Sequence, residues 1–206
     1  MDLSLIETLR WEPGAGFIRL ERHLARLARS ARELGLPGAD GAREALSAAL
    51  PPSRAPLRIR LELFPDGRID VQATPFTPLP PSTTWRVKFA ATRLSSIDPL
   101  LPHKTSRRVA YAAARAEFAT GEADEVLLLN ERGEICEGTI TSLFLDDGTG
   151  ILKTPPLSSG LLAGVLREEL LQTGKAEERA LRPADLAAGR FLVGNSLRGL
   201  IAATLA

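Results

Sequence analysis

The chain alternates short period-two segments with longer stretches of helical spacing, and the order of the two outlines its architecture. Residues 3–10 mix apolar and polar side chains as a half-buried or edge strand does, and Glu12-Pro13-Gly14-Ala15-Gly16 turns the chain into a second short strand at 17–20. Leu24, Leu27, Ala28, Ala31 and Leu34 then recur at helical spacing, and Gly35 with Pro37 ends that helix. A second helix is expected over 40–50, stopped by Pro51 and Pro52. Leu57, Ile59, Leu61 and Leu63 alternate with Arg58, Arg60 and Glu62, which predicts a strand with one buried face, and Asp66-Gly67 folds it back onto a partner at 68–73.

Residues 75–81, Pro75-Phe76-Thr77-Pro78-Leu79-Pro80-Pro81, interrupt the pattern, because proline lacks an amide donor and fixes its backbone angle. Beyond them strands are expected at 85–91, 126–129, 140–145, 151–153 and 191–193, with turn signals at Glu131-Arg132-Gly133 and Asp146-Asp147-Gly148. Two helices fall among these strands: an alanine-rich one over 105–120, and one over 159–172 that carries Leu161, Leu162, Val165, Leu166 and Leu170. There is no internal repeat. Strands interrupted by helices, with hairpin turns, indicate an α+β (mixed α/β) chain in two lobes, a small amino-terminal one over 1–81 and a larger carboxy-terminal one over 82–206.

Composition narrows the class without changing this picture. The 206 residues are 44% apolar and 25% charged, with a formal net charge of +1, as in an ordinary globular protein with a real core. No apolar run approaches the roughly 18 residues of a membrane-spanning helix, and the first residues lack a basic region followed by an apolar one, so a cytoplasmic location with no membrane association is expected. The single Cys136 allows neither an internal disulfide nor a redox pair, and with two histidines eighty positions apart no metal site is expected. The basic residues are matched by 25 acidic ones, and the 5% of aromatics are not interleaved with them, which argues against nucleic acid as a partner.

Lysine usage is where chemistry first shows. Only four of the 26 basic residues are lysines, and one of them, Lys104, stands in Leu101-Pro102-His103-Lys104-Thr105-Ser106-Arg107-Arg108, read as a loop-to-helix junction. A guanidinium stays protonated, whereas a lysine amine shifts its pKa on burial and can attack a carbonyl, so Lys104 is a candidate nucleophile; the alternative is a solvated side chain. Glu137, in Glu134-Ile135-Cys136-Glu137-Gly138, is either a functional carboxylate or an exposed strand-edge charge. Two small-residue loops, Thr154-Pro155-Pro156-Leu157-Ser158-Ser159-Gly160 and Gly194-Asn195-Ser196-Leu197-Arg198-Gly199, could offer free amides and a hydroxyl to an anion. Arg22, Arg26 and Arg29 lie together opposite the leucines of the first helix, and by helical geometry alone form a solvated face.

Taken in order, these segments resemble the class-IV aminotransferase family, the fold-type-IV enzymes of pyridoxal 5'-phosphate. The resemblance spans nearly the whole chain: Glu7-Thr8-Leu9-Arg10, the H-x-x-R-L helix from His23 to Leu27, the lysine junction, E-G-x-x-x-x-L-F from Glu137 to Phe144, T-P-P-L-S-S-G-L-L-x-G from Thr154 to Gly164, and the final N-S-L-R-G from Asn195. It implies two small lobes with pyridoxal 5'-phosphate between them. Lys104 would form the Schiff base, Glu137 would sit by the pyridine nitrogen and keep it protonated, and Leu162 would pack against the ring. Arg26, the amides of Val165 and Leu166, and Ser196 beside Asn195 would bind the phosphate. Ser142 and Leu166 depart from the Asn and Thr of many relatives, and Val109 stands where branched-chain aminotransferases have Tyr, five residues after the lysine.

The H-K-T-x-R-R junction, Tyr111 and the short amino terminus look most like the aminodeoxychorismate lyases of folate biosynthesis. That likeness implies release of 4-aminobenzoate and pyruvate from an anionic amino substrate, with Arg93, Arg107 and Arg198 as candidates for its carboxylates, and a homodimer. The competing readings are a transaminase for branched-chain or D-amino acids and a cofactor-free interaction protein. His23 is read as structural, and His103 and Tyr111 receive no role.

Overall fold

Hydrogen bonding and core packing divide the chain into two units in the computed structural model, which describes residues 3–206. The first comprises the chain up to Leu79 and two short returns from far along the sequence, His103–Arg107 and Ser196–Arg198. The second comprises Pro80–Pro102, Arg108–Asn195 and Gly199–Ala206. Both mix helix and strand, as the pattern predicts.

In the first unit β1 (Leu5–Glu12), β2 (Gly16–Phe17), β3 (Leu57–Leu63) and β4 (Ile69–Pro75) form an antiparallel sheet in the order β2-β1-β3-β4. β1 and β3 pair with Leu5 opposite Leu63, Glu7 opposite Leu61 and Leu9 opposite Ile59. The alternation along β3 puts Leu57, Ile59, Leu61 and Leu63 on one face, where they pack with Leu27 and Ala31 of α1 (Leu20–Leu34) and Ala42 and Leu46 of α2 (Ala42–Ala48). The expected strand over 17–20 shrinks to Gly16–Phe17, because Arg19 takes a left-handed backbone (φ 59°) that swings the chain straight into α1. The expected helix over 40–50 is a 3-10 turn, Ala39–Gly41, running into α2. The buried stripe of α1 is also not the predicted one: His23, Arg26, Leu27, Ser30 and Ala31 are buried, whereas Leu24 is half-buried and Ala28 exposed. The polar members of that stripe belong to the site described below.

The second unit contains β5 (Thr84–Leu94), α3 (Val109–Ala116), β6 (Glu125–Asn130), β7 (Ile135–Gly138), β8 (Ser142–Asp146), β9 (Leu152–Thr154), α4 (Val165–Gln172), β10 (Ala176–Glu178), α5 (Pro183–Ala188), β11 (Arg190–Asn195) and β12 (Gly199–Leu205). Its eight strands form one mixed sheet, β10-β9-β8-β11-β12-β5-β6-β7, with β5 parallel to both β12 and β6 and with α3 as the crossover from β5 to β6. β6, parallel to β5 on one side and antiparallel to the edge strand β7 on the other, is buried throughout. Two expected helices are shorter than their patterns. The one over 105–120 exists only as α3, since residues 103–107 pair with β1. The one over 159–172 begins at Val165, after a 3-10 turn at Leu157–Ser159.

Candidate active site

The Lys104 segment is held by backbone pairing to β1. Ile6 N–H donates to the Lys104 carbonyl at 2.8 Å, Ser106 N–H to the Ser4 carbonyl at 3.0 Å, and Leu5 and Thr105 form an antiparallel bridge. A loop whose peptide groups are satisfied in this way behaves as an extra rung of sheet, so the half-buried Lys104 side chain leaves a fixed base. The neighbouring His103 is pinned from the other direction, its Nδ1 2.9 Å from Ser30 Oγ on α1 and its Nε2 3.5 Å from the Glu33 carboxylate. Burial lowers the pKa of His103, with Glu33 opposing and Arg29 adding to the effect. Lys104 is therefore not at the start of a helix, contrary to expectation.

One residue further along β1 from that rung, Glu7 faces inward between Leu5 and Leu9 and is 3% exposed. Its carboxylate receives Arg26 Nε at 2.8 Å and Nη2 at 2.6 Å, the two-pronged geometry in which a guanidinium and a carboxylate fit best. His23 Nδ1 lies 2.6 Å from the second Glu7 oxygen, and its Nε2 lies 2.7 Å from Ser196 Oγ. Arg19 closes the group by donating to the Ser196 carbonyl at 3.3 Å. Burial by itself would push the Glu7 carboxyl up, but Arg26 and His23 more than offset that and hold it at about 2. Arg26 is thus not part of a solvated basic face. It turns inward, 4% exposed, because Glu7 supplies the charge that its burial requires. Lys104, Arg26, His23 and Ser196, spread over 173 positions, share one compact unit.

In the second unit Glu137 lies on β7, 4% exposed, opposite Leu128 of β6. It is not an exposed edge carboxylate. Tyr111 on α3 donates its hydroxyl to Glu137 Oε1 at 2.7 Å, and the Leu162 amide donates to the same oxygen at 3.0 Å. The Arg108 guanidinium stacks over the Tyr111 ring, 4.1 Å from its centre. Burial and the adjacent Glu137 carboxylate push the Tyr111 hydroxyl far above its ordinary pKa, so it stays a donor at every physiological pH. The turn after Glu137 is fixed by Glu125, whose buried carboxylate accepts from the amides of Thr139 and Ile140 and the hydroxyls of Thr139 and Thr141. Gly138 is required there, since a Cβ would collide with Thr141 Oγ1 and lie 2.8 Å from a Glu125 oxygen.

Val165 and Leu166 are the first two residues of α4, where amides have no partner within the helix. Gly164 caps the helix with no side-chain hydrogen bond, and a Cβ at that position would lie 2.7 Å from Ser142 Oγ, so the close approach of Ser142 requires a glycine here. The preceding loop is tied down by buried Arg167, which donates to the Pro155 carbonyl at 2.8 Å and pairs with Glu178. Leu162 is half-buried, and Asn195 donates to the Ile140 carbonyl at 3.1 Å. Arg93 is exposed and folds back on its own strand, donating to the Ala91 carbonyl at 2.7 Å. Arg107 is exposed and Arg198 half-buried. Among the described residues no cluster of His, Cys, Asp and Glu could hold a metal ion, and no helix is long and apolar enough to cross a membrane.

The sequence profile of the family described as "Amino-transferase class IV" matches residues 4–205, and the chain belongs to that family, whose members are enzymes dependent on pyridoxal phosphate. It is 32% identical over 182 residues to a branched-chain-amino-acid aminotransferase, so named as probable, from Thermotoga maritima, covering 85% of this chain but only 64% of that protein. It is 31% identical over 182 residues to a provisionally named aminodeoxychorismate lyase from Schizosaccharomyces pombe, covering 86% of this chain and 77% of that one. The crystal structure of a provisionally named amino-acid aminotransferase from Mesorhizobium loti superposes with a TM-score of 0.96 at 52% identity over the whole of both chains. A provisionally named 4-amino-4-deoxychorismate lyase gives 0.83 at 33% identity, covering 97% of this chain and 83% of that one.

Glu7, Arg19, His103, Tyr111 and Glu125 received no role from sequence, and His23 only a structural one. For Glu7 and Glu125 a signal existed, a carboxylate at an inward position of an otherwise apolar strand face, where an isolated charge is too costly to persist without partners.

Proposed function

We propose that the chain binds pyridoxal 5'-phosphate and acts as a 4-amino-4-deoxychorismate lyase, releasing 4-aminobenzoate and pyruvate. The observation that carries the cofactor reading is the gathering of Lys104 and a built anion anchor into one unit: an inward-facing guanidinium, Arg26, and a buried hydroxyl, Ser196, both braced by side chains that have no other evident task. In this reading Lys104 holds the cofactor's aldehyde carbon. Arg26, Ser196 and the amides of Val165 and Leu166 hold its phosphate, with Asn195 shaping the turn, while Glu137 meets the pyridine nitrogen and Leu162 the ring. When bound, the cofactor supplies an electron-accepting ring that stabilises negative charge at a carbon next to the substrate nitrogen.

The residues of the chain do the rest. Beside the bound cofactor, Lys104 would be the base that removes a proton from the substrate and the acid that returns one as the enolpyruvyl group leaves. Glu137 keeps its orientation through Tyr111 and the Leu162 amide, and a carboxylate facing the ring nitrogen keeps that nitrogen protonated. Arg107 and Arg198 are the candidates for the substrate carboxylates, and Arg93, turned onto its own strand, is the weaker one. Val109, 78% exposed at the start of α3, provides no hydroxyl where branched-chain aminotransferases have a tyrosine, which supports the lyase over the transaminase. A cytoplasmic homodimer in folate biosynthesis is part of the same reading.

The second reading, a class-IV aminotransferase for branched-chain or D-amino acids, is favoured by the 52% identity to the Mesorhizobium loti protein. It uses the same anchor and differs in where Lys104 returns the proton. Cofactor-loaded protein supplied with aminodeoxychorismate, made in place by its synthase, separates the two. Formation of 4-aminobenzoate and pyruvate, lost in Lys104→Ala, is the expected result. Amino transfer from an amino acid to a 2-oxo acid with neither lyase product would replace the first reading with the second. Failure of the unaltered protein to retain a visibly absorbing cofactor after unbound cofactor is removed would sink both.

A further inference from the structure

The contacts joining Glu7, His23 and Ser196 determine where each proton of the anchor sits. Glu7 is ionised at every pH above about 2, so it only accepts, and His23 Nδ1 at 2.6 Å must carry a hydrogen. A neutral imidazole has one N–H. Nε2 therefore holds a lone pair, and the Ser196 hydroxyl, 2.7 Å away, donates to it. Serine has a single hydroxyl hydrogen, so with His23 neutral Ser196 offers only lone pairs in every other direction. A phosphate ester dianion is also acceptor-only, and Ser196 in that state cannot serve it.

Building on the cofactor reading above, we infer that His23 is a positioning residue for the phosphate: it takes up one proton from solvent when an ester dianion binds, so that its Nε2–H donates to Ser196 Oγ and Ser196 turns its own hydrogen onto an ester oxygen. One N–H bond forms, and nothing else in the protein changes its bonding. The charges around the ring are Glu7 on β1, which favours the imidazolium, and Arg26 on α1 with Arg19 at the start of that helix, which oppose it. In the free protein burial lowers the pKa of His23, Glu7 raises it, and the two arginines lower it further. An incoming group carrying close to two negative charges offsets both arginines at once and reverses that balance. Glu7 then has a double task, orienting Arg26 by two hydrogen bonds and stabilising the ring when it is charged.

The test uses pyridoxine 5'-phosphate, which carries the same ester but an alcohol in place of the aldehyde and so does not depend on Lys104. The chain has two histidines, and the His103→Gln variant leaves one imidazole signal in the proton spectrum, that of His23. On titrating cofactor-free protein near pH 7.5, the expected result is a shift of that signal to the imidazolium position, a phosphorus signal of dianionic ester, and uptake approaching one proton per ester by calorimetry in two buffers. Affinity should fall about tenfold per pH unit above pH 7, where the ester is already dianionic (second pKa about 6). In Ser196→Ala the uptake and the pH slope should disappear, a change that loss of packing alone does not produce. Binding with a neutral His23 overturns the inference and leaves the cofactor reading standing. Failure of both pyridoxine phosphate and pyridoxal phosphate to bind overturns the two together.

Discussion

At the scale of single residues, the polar groups buried around Glu7 are held by one another. Glu7, Arg26 and His23 are each under 5% exposed, and the Glu7 carboxylate pairs with both of the others. Breaking such a set leaves a buried charge unpaired, which is far more costly than never having built it. Tyr111→Phe removes one of the two donors seen on Glu137 Oε1 and should destabilise the protein by about 1–3 kcal/mol, read from the denaturant midpoint. If the midpoint does not move, Tyr111 does not hold Glu137. Acid sensitivity has a defined direction. Glu7 has a folded pKa of about 2 against an ordinary 4.5, so its contribution is present above about 4.5 and is lost as the pH falls from there towards 2. His23 is lowered from 6.5, so the unfolded chain takes its proton first, and stability begins to fall as the pH drops through 6.5. Cofactor-free His23→Gln should show a shallower loss of stability between pH 6.5 and 4.5 than the unaltered chain. An unchanged slope would place the effect on His103, which is shifted in the same direction.

At the scale of elements, two glycines decide how the site-bearing turns are made. Gly138 lies where a Cβ would meet Glu125, and Gly164 where it would meet Ser142. Neither has a positive φ, so the requirement is space rather than backbone angle. Gly138→Ala should destabilise by about 1–3 kcal/mol through overpacking, because the obstructing Glu125 carboxylate is locked by four donors of the turn and by the Val126 amide. A midpoint equal to that of the unaltered protein would mean that the turn yields. Much of the element plan was legible: the alternation of β3, the hairpin to β4, and the existence of α1 and α4 follow from apolar spacing alone. The miscast parts share a cause. Helical spacing over 105–120 and 159–172 includes residues that the fold uses for other bonding, the rung on β1 in the first case and the 3-10 turn and helix cap in the second.

At the scale of the whole molecule, the first unit is completed by residues that are remote in sequence. His103–Arg107 and Ser196–Arg198 return to it, bringing Lys104 beside β1 and Ser196 to α1. The cost of closing such long loops grows only slowly with their length, so these returns are inexpensive once each makes specific hydrogen bonds. Ligand binding to the folded state alone should therefore be visible globally. At a hundred times its dissociation constant, pyridoxal phosphate contributes about 2.7 kcal/mol, a rise of roughly 5–10 °C in the melting temperature for a chain of this length. Lys104→Ala should lose part of that rise, and a rise equal to that of the unaltered protein would show that Lys104 makes no bond to the cofactor.

The sequence by itself determined the α+β class, the strand and helix order of the first unit, and, through six ordered motifs, the family and a short set of candidate residues. These are properties of local spacing and of residue identity, and both are written along one dimension. Only the tertiary structure decided that Arg26 faces inward, that Glu7 and His23 brace it, that Tyr111 holds Glu137, and that Lys104 and Ser196 belong with the first unit. A charged residue on a helix has a solvated face as its default, and the partner that reverses the default can lie anywhere in the chain. For Arg26 it stands 19 residues upstream on a strand, and for His23 it stands 173 residues downstream in a turn. Pairings at that distance are set by which backbones the sheets and loops bring together, and no local pattern carries that information.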